Sequence, residues 1–283
     1  MTGHPLAFLR GTLGLSHPAY AQLIAQTHSD LGYGQMAARR EKVSRWESGR
    51  IVPHLTTQLA IARIHGASPD DVLRLGWPAW LHSVSREAVL TLRPWSFEGM
   101  LGVLEALSQS VCDEGRRELT FTGFTLAAMV KSAMAALPGA EVPARAGSHL
   151  GPGVAAAVEA RVAALESMRT WAWPTVLCPA VVGELQFLAS LLAGAEYDGR
   201  IGTRLLVLVV RVCDLAAALR RKLGDYSGSE RYLHLAVRAA VAGRAVSPAA
   251  DCFEVLARLH DCAGDPEDAL LLRTAGLALR NLS

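Results

Sequence analysis

The sequence predicts an all-α protein made of a small N-terminal helical domain and a larger body of helix hairpins. Apolar residues recur at helical spacing along most of the chain, and nothing after residue 154 alternates apolar and polar residues as a strand does. With 283 residues, 51% of them hydrophobic and 19% charged, the chain can bury a full core and form two domains. We expect a domain over 1–76, a connector with a flexible loop over 77–153 and a helical body over 154–283.

The N-terminal domain is predicted to contain five short helices, each with a local reason to begin or end. Ser16 or His17 can cap the second helix, Gly66 ends the fourth, and Ser68 with Pro69 starts the fifth. The expected helices cover 5–13, 18–29, 35–48, 55–65 and 69–75. Their inward faces predict one core, formed by Leu6, Leu9, Tyr20, Leu23, Ile24, Val43, Trp46, Leu59, Ala62, Ile64, Val72 and Leu75.

The third predicted helix has one apolar side and one charged side. On a helical wheel Val43 marks the buried direction and Trp46 lies close to it, whereas Glu41 and Arg45 lie opposite. One side of this helix therefore packs, and the other is free to enter a groove. Met36 and Glu47 share the buried side, Lys42 and Ser44 flank the charged side, and Gly49 and Pro53 follow as stop and turn.

The run 44–50 followed by Pro53 resembles the end of the recognition helix, and the turn after it, in lambda-repressor-like (Xre) helix-turn-helix proteins. The resemblance covers roughly residues 4–76 and departs at 36–39, where the family has a short Gly-Val-Ser turn. It implies sequence-specific binding of double-stranded DNA by a homodimer that reads two half-sites. The implied base contacts are Arg40, Glu41 and Arg45, with phosphate contacts from Arg39, Lys42 and Arg50 and with Ser44 beside them.

Positive charge is concentrated in the N-terminal part. The formal net charge of the chain is only +2, but residues 1–80 carry eight Lys and Arg against five Asp and Glu. A modest basic module on a nearly neutral body suits the binding of a short DNA site by a dimer. The charge distribution therefore favours a DNA-binding protein.

Residues 77–153 are predicted to connect the two domains. Trp77 and Trp80 can pin the DNA-binding domain to the next part of the chain, or simply pack within a hydrophobic linker. Helices are expected over 97–112 and 119–137, and the prolines and glycines of 138–153 mark a loop that is the best candidate for a hinge.

A recurrence at an offset of 40 residues characterises the C-terminal body. Gly224 and Asp225 recur as Gly264 and Asp265, each pair followed by small and apolar residues at matching positions. The pattern resembles tetratricopeptide units, in which a Gly-Asp turn joins two antiparallel helices. The units cover 205–244 and 248–280, with a more degenerate one at 184–194. Stacked hairpins form an extended concave surface, so we expect the body to dimerise and to take a small molecule, a peptide or a partner protein in its groove. A body that serves only for dimerisation is the alternative.

The sequence lacks the common signatures of catalysis. It has no Gly-x-Ser-x-Gly elbow, no Walker loop, no His-Glu-x-x-His and no Cys-x-x-Cys, so we expect no enzyme, no metal and no cofactor. His260, Asp261 and Cys262 are adjacent, but neighbours on a helix point about 100° apart and cannot form a relay. The five cysteines, Cys112, Cys178, Cys213, Cys252 and Cys262, are odd in number and widely spaced, which indicates buried thiols in a reducing cytosol.

The remaining patterns concern location and ligands. No export signal opens the chain, and the apolar stretch 205–219 contains Arg211 and Asp214, so we expect a cytoplasmic protein without a membrane span. We also expect no membrane among its partners. Two functions stay open: a transcriptional regulator whose body dimerises and senses an effector, and a protein-interaction scaffold in which DNA binding is secondary. Candidates for ligand contact are Trp171 and Trp173, which can wall a pocket or pack in the core, and His234 and Arg238, which can line a groove or lie on a solvated helix face.

Overall fold

The computed structural model describes residues 4–108, 119–140, 142–143 and 148–281. The described residues are predominantly helical, which confirms the all-α prediction. Strand pairing among them is limited to β1 (Ser148–His149) and β2 (Ala195–Glu196), which run parallel. The chain forms two compact units, Met1–Leu92 and Arg93–Ser283.

The described part of the first unit contains six helices, whose starts follow the predicted capping. The side chains of Ser16 and Ser68 accept backbone hydrogen bonds at the starts of α2 and α5, and Pro18 and Pro69 lie in the first turns, where no backbone donor is needed. The helices are α1 (Pro5–Thr12), α2 (His17–Asp30), α3 (Arg40–Glu47), α4 (Leu55–Ile64), α5 (Pro69–Leu75) and α6 (Ala79–Leu92).

One core joins these six helices. The predicted inward residues are buried in it or packed against it, except Leu23, which is exposed. Trp80 and Leu81 of α6 are buried in the same core, and Nε1 of Trp80 donates to Oε1 of Gln58 on α4 (3.4 Å). Because α6 packs on α1 and α5, the first unit extends to Leu92 instead of ending at residue 76.

The predicted start of the third helix at residue 35 was wrong, since α3 begins at Arg40. The cause is a set of tertiary contacts made by the segment that precedes α3. Met36 packs against the core and accepts a hydrogen bond from Oγ1 of Thr57 (3.6 Å), while Nδ1 of His28 lies 3.0 Å from the carbonyl oxygen of Gly34. These two anchors hold residues 35–39 in a non-helical path.

The described part of the second unit is a larger helical assembly. α11 packs against α10 and α12, and α13 packs against α12 and α14. α7 packs on α10 and α12, and α8 on α14, so the connector predicted over 77–153 is divided between the two units. The helices are α7 (Phe97–Ser108), α8 (Gly123–Ala136), α9 (Pro152–Met168), α10 (Pro174–Gly194), α11 (Gly199–Lys222), α12 (Tyr226–Ala242), α13 (Val246–Ala263) and α14 (Pro266–Arg280), with a short 3-10 helix (Leu137–Gly139) after α8.

Both Gly-Asp turns of the recurrence join helices. The side chains of Asp225 and Asp265 each accept a backbone N–H at the start of the following helix, α12 and α14 respectively. Between α13 and α14 the absence of a side chain at Gly276 permits close packing, because an added Cβ would lie 3.2 Å from the carbonyl oxygen of Ala250. Gly276 therefore serves the contact between these two helices.

The stretch predicted as a hinge, 138–153, is anchored where it is described. Leu150 is buried, and its N–H donates to the carbonyl of Glu196 (2.8 Å) beside the β1–β2 pairing. Residues 141 and 144–147 of this stretch, and residues 109–112 of the helix predicted over 97–112, lie outside the described residues. Main-chain pairing thus ties the end of the predicted flexible loop to the second unit.

α10 is long and apolar enough to cross a membrane, as judged by length and composition, and 44% of its most apolar window is buried. It packs against α7, α9 and α11. Midway along it, the buried carboxylate of Glu184 accepts a hydrogen bond from Nη2 of Arg161 on α9 (2.6 Å). α10 therefore packs on three helices of the second unit, while part of its surface stays exposed.

The cysteines follow the predicted burial in part. Cys178, Cys213 and Cys252 are buried thiols, whereas Cys262 is exposed, contrary to the prediction. Burial raises the pKa of the Cys213 and Cys252 thiols, which keeps them protonated. Cys112 lies outside the described residues.

Candidate nucleic-acid interface

α3 presents an apolar side to the core of the first unit and a charged side to solvent. Val43 and Trp46 are buried, at the spacing that the helical wheel predicts. The side chain of Lys42 is half-buried. Six of the seven residues predicted to bind DNA are exposed: Arg39, Arg40, Glu41, Ser44, Arg45 and Arg50.

Glu47, at the end of α3, ties the helix to the rest of the unit. Its Oε1 accepts a hydrogen bond from Nε of Arg10 on α1 (2.7 Å), and its Oε2 lies 2.8 Å from Nε2 of His17 on α2. Nη1 of Arg10 also donates to the carbonyl of Leu15 (2.6 Å), so one guanidinium joins three segments. The hydrogen bond with Glu47 raises the pKa of Arg10. The orientation of α3 is therefore set by charge-assisted bonds as well as by apolar packing.

The helical pattern of the sequence predicts that Glu47 lies on the inward side of α3 but does not reveal its partners. Arg10 is 37 residues away and His17 is 30 residues away, with no local motif that links them. The one available signal is that an ionisable side chain on an inward helix face requires a partner.

His28 positions the segment that leads into α3. Its Nδ1 lies 3.0 Å from the carbonyl oxygen of Gly34, and its Nε2 lies 3.0 Å from Oγ1 of Thr56 on α4. The ring also makes an edge contact with Tyr33, with the ring centroids 5.5 Å apart. A single buried histidine at the end of α2 thereby joins α2, the loop and α4.

The outward side of α3 carries more positive than negative charge. Nε of Arg40 lies 3.1 Å from Oε1 of Glu41. A hydrogen bond within Glu41 itself, to its own backbone, and the contact with Arg40 lower the pKa of Glu41, so its carboxylate is ionised. Within the described ranges, Arg39, Arg45 and Arg50 form no ion pair, which leaves three guanidinium groups available to an anionic partner.

The end of α3 is a glycine turn that brings Arg50 back towards the helix. Gly49 has a φ of 68°, which favours glycine. The N–H of Arg50 donates to the carbonyl of Arg45 (3.0 Å). Arg50 is therefore held close to the end of α3, and it is exposed.

This arrangement has the size and chemistry to contact a duplex. An eight-residue helix is about 12 Å long, and the major groove admits a helix whose first residues point at base edges. Guanidinium groups can donate two hydrogen bonds to guanine, and an ionised carboxylate can accept one from cytosine. A guanidinium group that does not reach a base can instead donate hydrogen bonds to phosphate oxygens, whose charge is opposite to its own.

The predicted ligand-contacting residues of the body do not form one site. Trp171 and Trp173 are 71% and 78% exposed, so they neither pack in the core nor wall an enclosed pocket. His234 and Arg238 are buried and do not line an open groove. The reason is that the side chains of His234 and Arg238 pack against other residues of the second unit.

His234 and Arg238 hold other segments of the second unit in place. The ring of His234 meets that of Phe121 edge-on (4.8 Å between centroids), and burial lowers the pKa of His234 to about 3. Arg238 donates to the carbonyls of Arg93 and Pro94 (3.0 Å each), and its guanidinium lies 4.2 Å from the centroid of the Trp95 ring. The contacts of Arg238 account for its buried guanidinium, whereas Nε2 of His234 has no hydrogen-bond partner among the described residues.

A buried polar cluster that the sequence did not reveal lies between α12, α13 and α14. Glu230 accepts the N–H of Thr120 (2.6 Å), and Asp268 accepts the N–H of Gly123 (2.9 Å). Nε2 of His260 lies 3.5 Å from Glu230 and its Nδ1 lies 3.9 Å from Asp268. Burial raises the pKa of Glu230. The cluster binds the backbone at the start of α8, and its groups are enclosed by protein.

A functional site can also be recognised from a group of metal ligands or from a known relative. Among the described residues, no group of three or more His, Cys, Asp and Glu side chains is placed to hold a metal ion. Comparison of the chain with protein-family models, with curated proteins and with solved structures found no match.

Proposed function

We propose that the protein is a sequence-specific DNA-binding transcriptional regulator. The observation that carries the proposal is the outward side of α3, a short helix with exposed arginines that is held in place by Glu47 and by a buried apolar side. In this proposal the first unit acts as a lambda-repressor-like helix-turn-helix domain, with α3 as the recognition helix in the major groove.

Two kinds of DNA contact follow from the positions along α3. Arg40, Glu41 and Arg45 reach base edges, because they lie in the first turn or opposite the buried side. Arg39, Lys42 and Arg50 hold phosphates at the flanks, and Ser44 lies on the outward side between them. Base contacts confer sequence specificity, whereas phosphate contacts confer affinity for any duplex.

The working species is proposed to be a homodimer in the cytoplasm. One eight-residue helix reads only a few base pairs, and two copies that read half-sites about 34 Å apart gain specificity. The dimer contacts are assigned to the second unit.

We further propose that the second unit, a tetratricopeptide-like stack of helix hairpins, responds to an effector. The occupant would be a small molecule, a peptide or a partner protein that binds one arrangement of the dimer more tightly than another. A coupling of about 1 to 3 kcal/mol changes DNA affinity roughly 5- to 150-fold. No cofactor or metal is required for this activity.

A protein-interaction scaffold is the alternative function. It is supported by the exposed leucines Leu270 and Leu277 on α14, which suit contact with another protein. In this alternative the exposed side of α3 binds DNA weakly and without sequence preference. Enrichment of one DNA sequence by the full chain distinguishes the two functions.

The test is selection of duplexes from a random library by the full chain, followed by quantitative binding to the enriched sequence. We expect Arg45→Ala to cost about 1 to 3 kcal/mol and to relax sequence preference at one position. Lys42→Ala should weaken all duplexes alike and reduce the salt dependence by about one unit. Arg63→Ala, which changes an exposed arginine on α4, is the matched control. Failure to enrich any sequence, or full affinity of the Arg45→Ala protein, would contradict the proposal.

A further inference from the structure

The turn between α9 and α10 exposes large apolar side chains. Trp171 is 71% exposed, Trp173 is 78% exposed, and Val176 in the first turn of α10 is 71% exposed. Tryptophan is the largest apolar side chain, and a soluble protein gains by covering it. The two tryptophans and Val176 lie within six residues and form a local apolar surface.

A basic pocket lies directly beside this turn. It has a volume of about 440 Å³ and is lined by Arg169 and Thr170 at the end of α9 and by Ala218, Arg221 and Lys222 of α11. Nζ of Lys222 donates to the carbonyl of Arg169 (3.0 Å), which joins the two helix ends.

The positive charges of the pocket are not neutralised by carboxylates. Within the described parts of the chain, Arg169, Arg221 and Lys222 form no ion pair. The nearest acidic residues in the sequence are already engaged, since Glu166 binds Arg211 and Asp225 binds Arg220. The pocket is therefore suited to an anion.

We propose that these residues form a docking surface for a membrane of anionic phospholipids. The basic-aromatic surface, as we name it, consists of Arg169, Trp171, Trp173, Val176, Arg221 and Lys222. Tryptophan prefers the membrane–water interface, where its ring contacts acyl chains and its N–H contacts polar groups. Arginine and lysine beside the rings attract lipid phosphates. Membrane docking by this surface is independent of DNA binding by α3.

The geometry favours a membrane over a small soluble anion. Trp171 and Trp173 do not line the pocket, so a ligand confined to the pocket would leave both rings in water. A lipid surface supplies phosphates to the pocket and an apolar layer to the rings beside it.

Charge also disfavours a second copy of this chain as the occupant. In a two-fold symmetric contact the same patch meets itself. The three cations of one copy would then face the three cations of the other. An anionic partner removes this repulsion.

The test is co-sedimentation of the full chain with sucrose-loaded vesicles. One set contains phosphatidylcholine alone, and the other contains equal amounts of phosphatidylcholine and phosphatidylglycerol. We expect binding to the anionic vesicles only, and we expect it to weaken as salt is added. Arg221→Gln with Lys222→Gln should reduce binding about five-fold for each charge removed. Trp171→Ser with Trp173→Ser should reduce it by about ten-fold or more.

The matched control is Leu270→Ser with Leu277→Ser, which removes two exposed apolar side chains from α14 and should bind vesicles like the unmodified protein. Circular dichroism and thermal unfolding check that each variant is folded. Absence of binding to anionic vesicles, or full binding by both variants of the basic-aromatic surface, overturns the proposal. Calorimetric titration with glycerol phosphate distinguishes a soluble source of phosphate: saturable binding without vesicle binding also overturns it. A dimer that dissociates on the tryptophan substitutions, again without vesicle binding, identifies a second copy as the occupant.

Discussion

At the level of single residues, the ionic contacts of Glu47 determine how α3 is held. The side chain accepts from Arg10 and contacts His17 while most of its surface is covered. Removal of one partner from such a pair leaves the other charge without its hydrogen bonds, which costs more than the pair contributed. Substitution of this inward residue therefore tests whether the orientation of α3 matters for binding.

We expect Glu47→Ala to destabilise the first unit by about 1 to 3 kcal/mol. DNA affinity should fall although every outward residue of α3 is unchanged. Urea unfolding measures the stability, and hydrogen exchange with mass spectrometry localises the loss to α1 and α3. Glu41→Ala is the control for stability, because Glu41 is exposed. Wild-type protection of α3 in the Glu47→Ala protein would show that apolar packing alone positions the helix.

A second prediction at this level concerns His65, which follows α4. Its Nε2 lies 2.7 Å from the hydroxyl of Tyr20, and burial lowers the pKa of His65 from 6.5 to about 4. Between these two pH values the unfolded chain binds a proton that the folded protein does not bind. The free energy of unfolding should therefore fall as the pH is lowered from 6.5 towards 4.

Urea unfolding at a series of pH values measures this dependence. His65→Gln should remove part of the decrease at acidic pH, whereas His54→Gln, which changes an exposed histidine of the same unit, should leave it intact. Identical pH profiles for the unmodified protein and the His65→Gln protein would contradict the role given to burial.

At the level of helices, close packing of α13 against α14 depends on Gly276. An added Cβ would lie 3.2 Å from the carbonyl oxygen of Ala250 and 3.6 Å from Cβ of Phe253. Gly183, inside α10, is exposed and has no neighbour within 4 Å of the same position. The two glycines thus share a helical setting and differ in the space around them.

We expect Gly276→Val to lower the free energy of unfolding by about 1 to 3 kcal/mol, because the helices must separate. Gly183→Val should leave it unchanged or raise it by a few tenths of a kcal/mol, about the difference in helix propensity. Chemical unfolding of both proteins makes the comparison. Equal effects of the two substitutions would show that the α13–α14 contact can adjust to a larger side chain.

At the level of the whole molecule, the proposed regulator requires two copies of α3 on one DNA site. Sedimentation velocity of the full chain should give a mass of roughly twice 30.2 kDa at micromolar concentration. The enriched operator should contain two related half-sites, and a change of their spacing by half a helical turn should abolish tight binding. A monomer that binds a single half-site as tightly as the pair would contradict dimeric recognition.

The helices and the exposed side of α3 were predictable because their signals are local. Capping serines, first-turn prolines and glycine stops act within a few residues, and they place the starts of α2 and α5 to within one residue. Apolar spacing likewise identifies Val43 and Trp46 as the buried side. The positions of the candidate DNA contacts follow from this side.

Tertiary structure decided which polar groups meet and where α3 begins. His28 and Met36 hold residues 35–39 out of the helix. Glu230 meets the backbone of Thr120, which is 110 residues away in the chain. Such pairings depend on the packing of whole helices, and no short window of sequence contains both partners. The sequence alone therefore determined the helical class, the helix starts that have local caps and the charged side of α3. The packed structure determined how α3 is held, the burial of His234 and Arg238 and the exposure of Trp171 and Trp173. The reason is that burial depends on neighbours that only folding brings together.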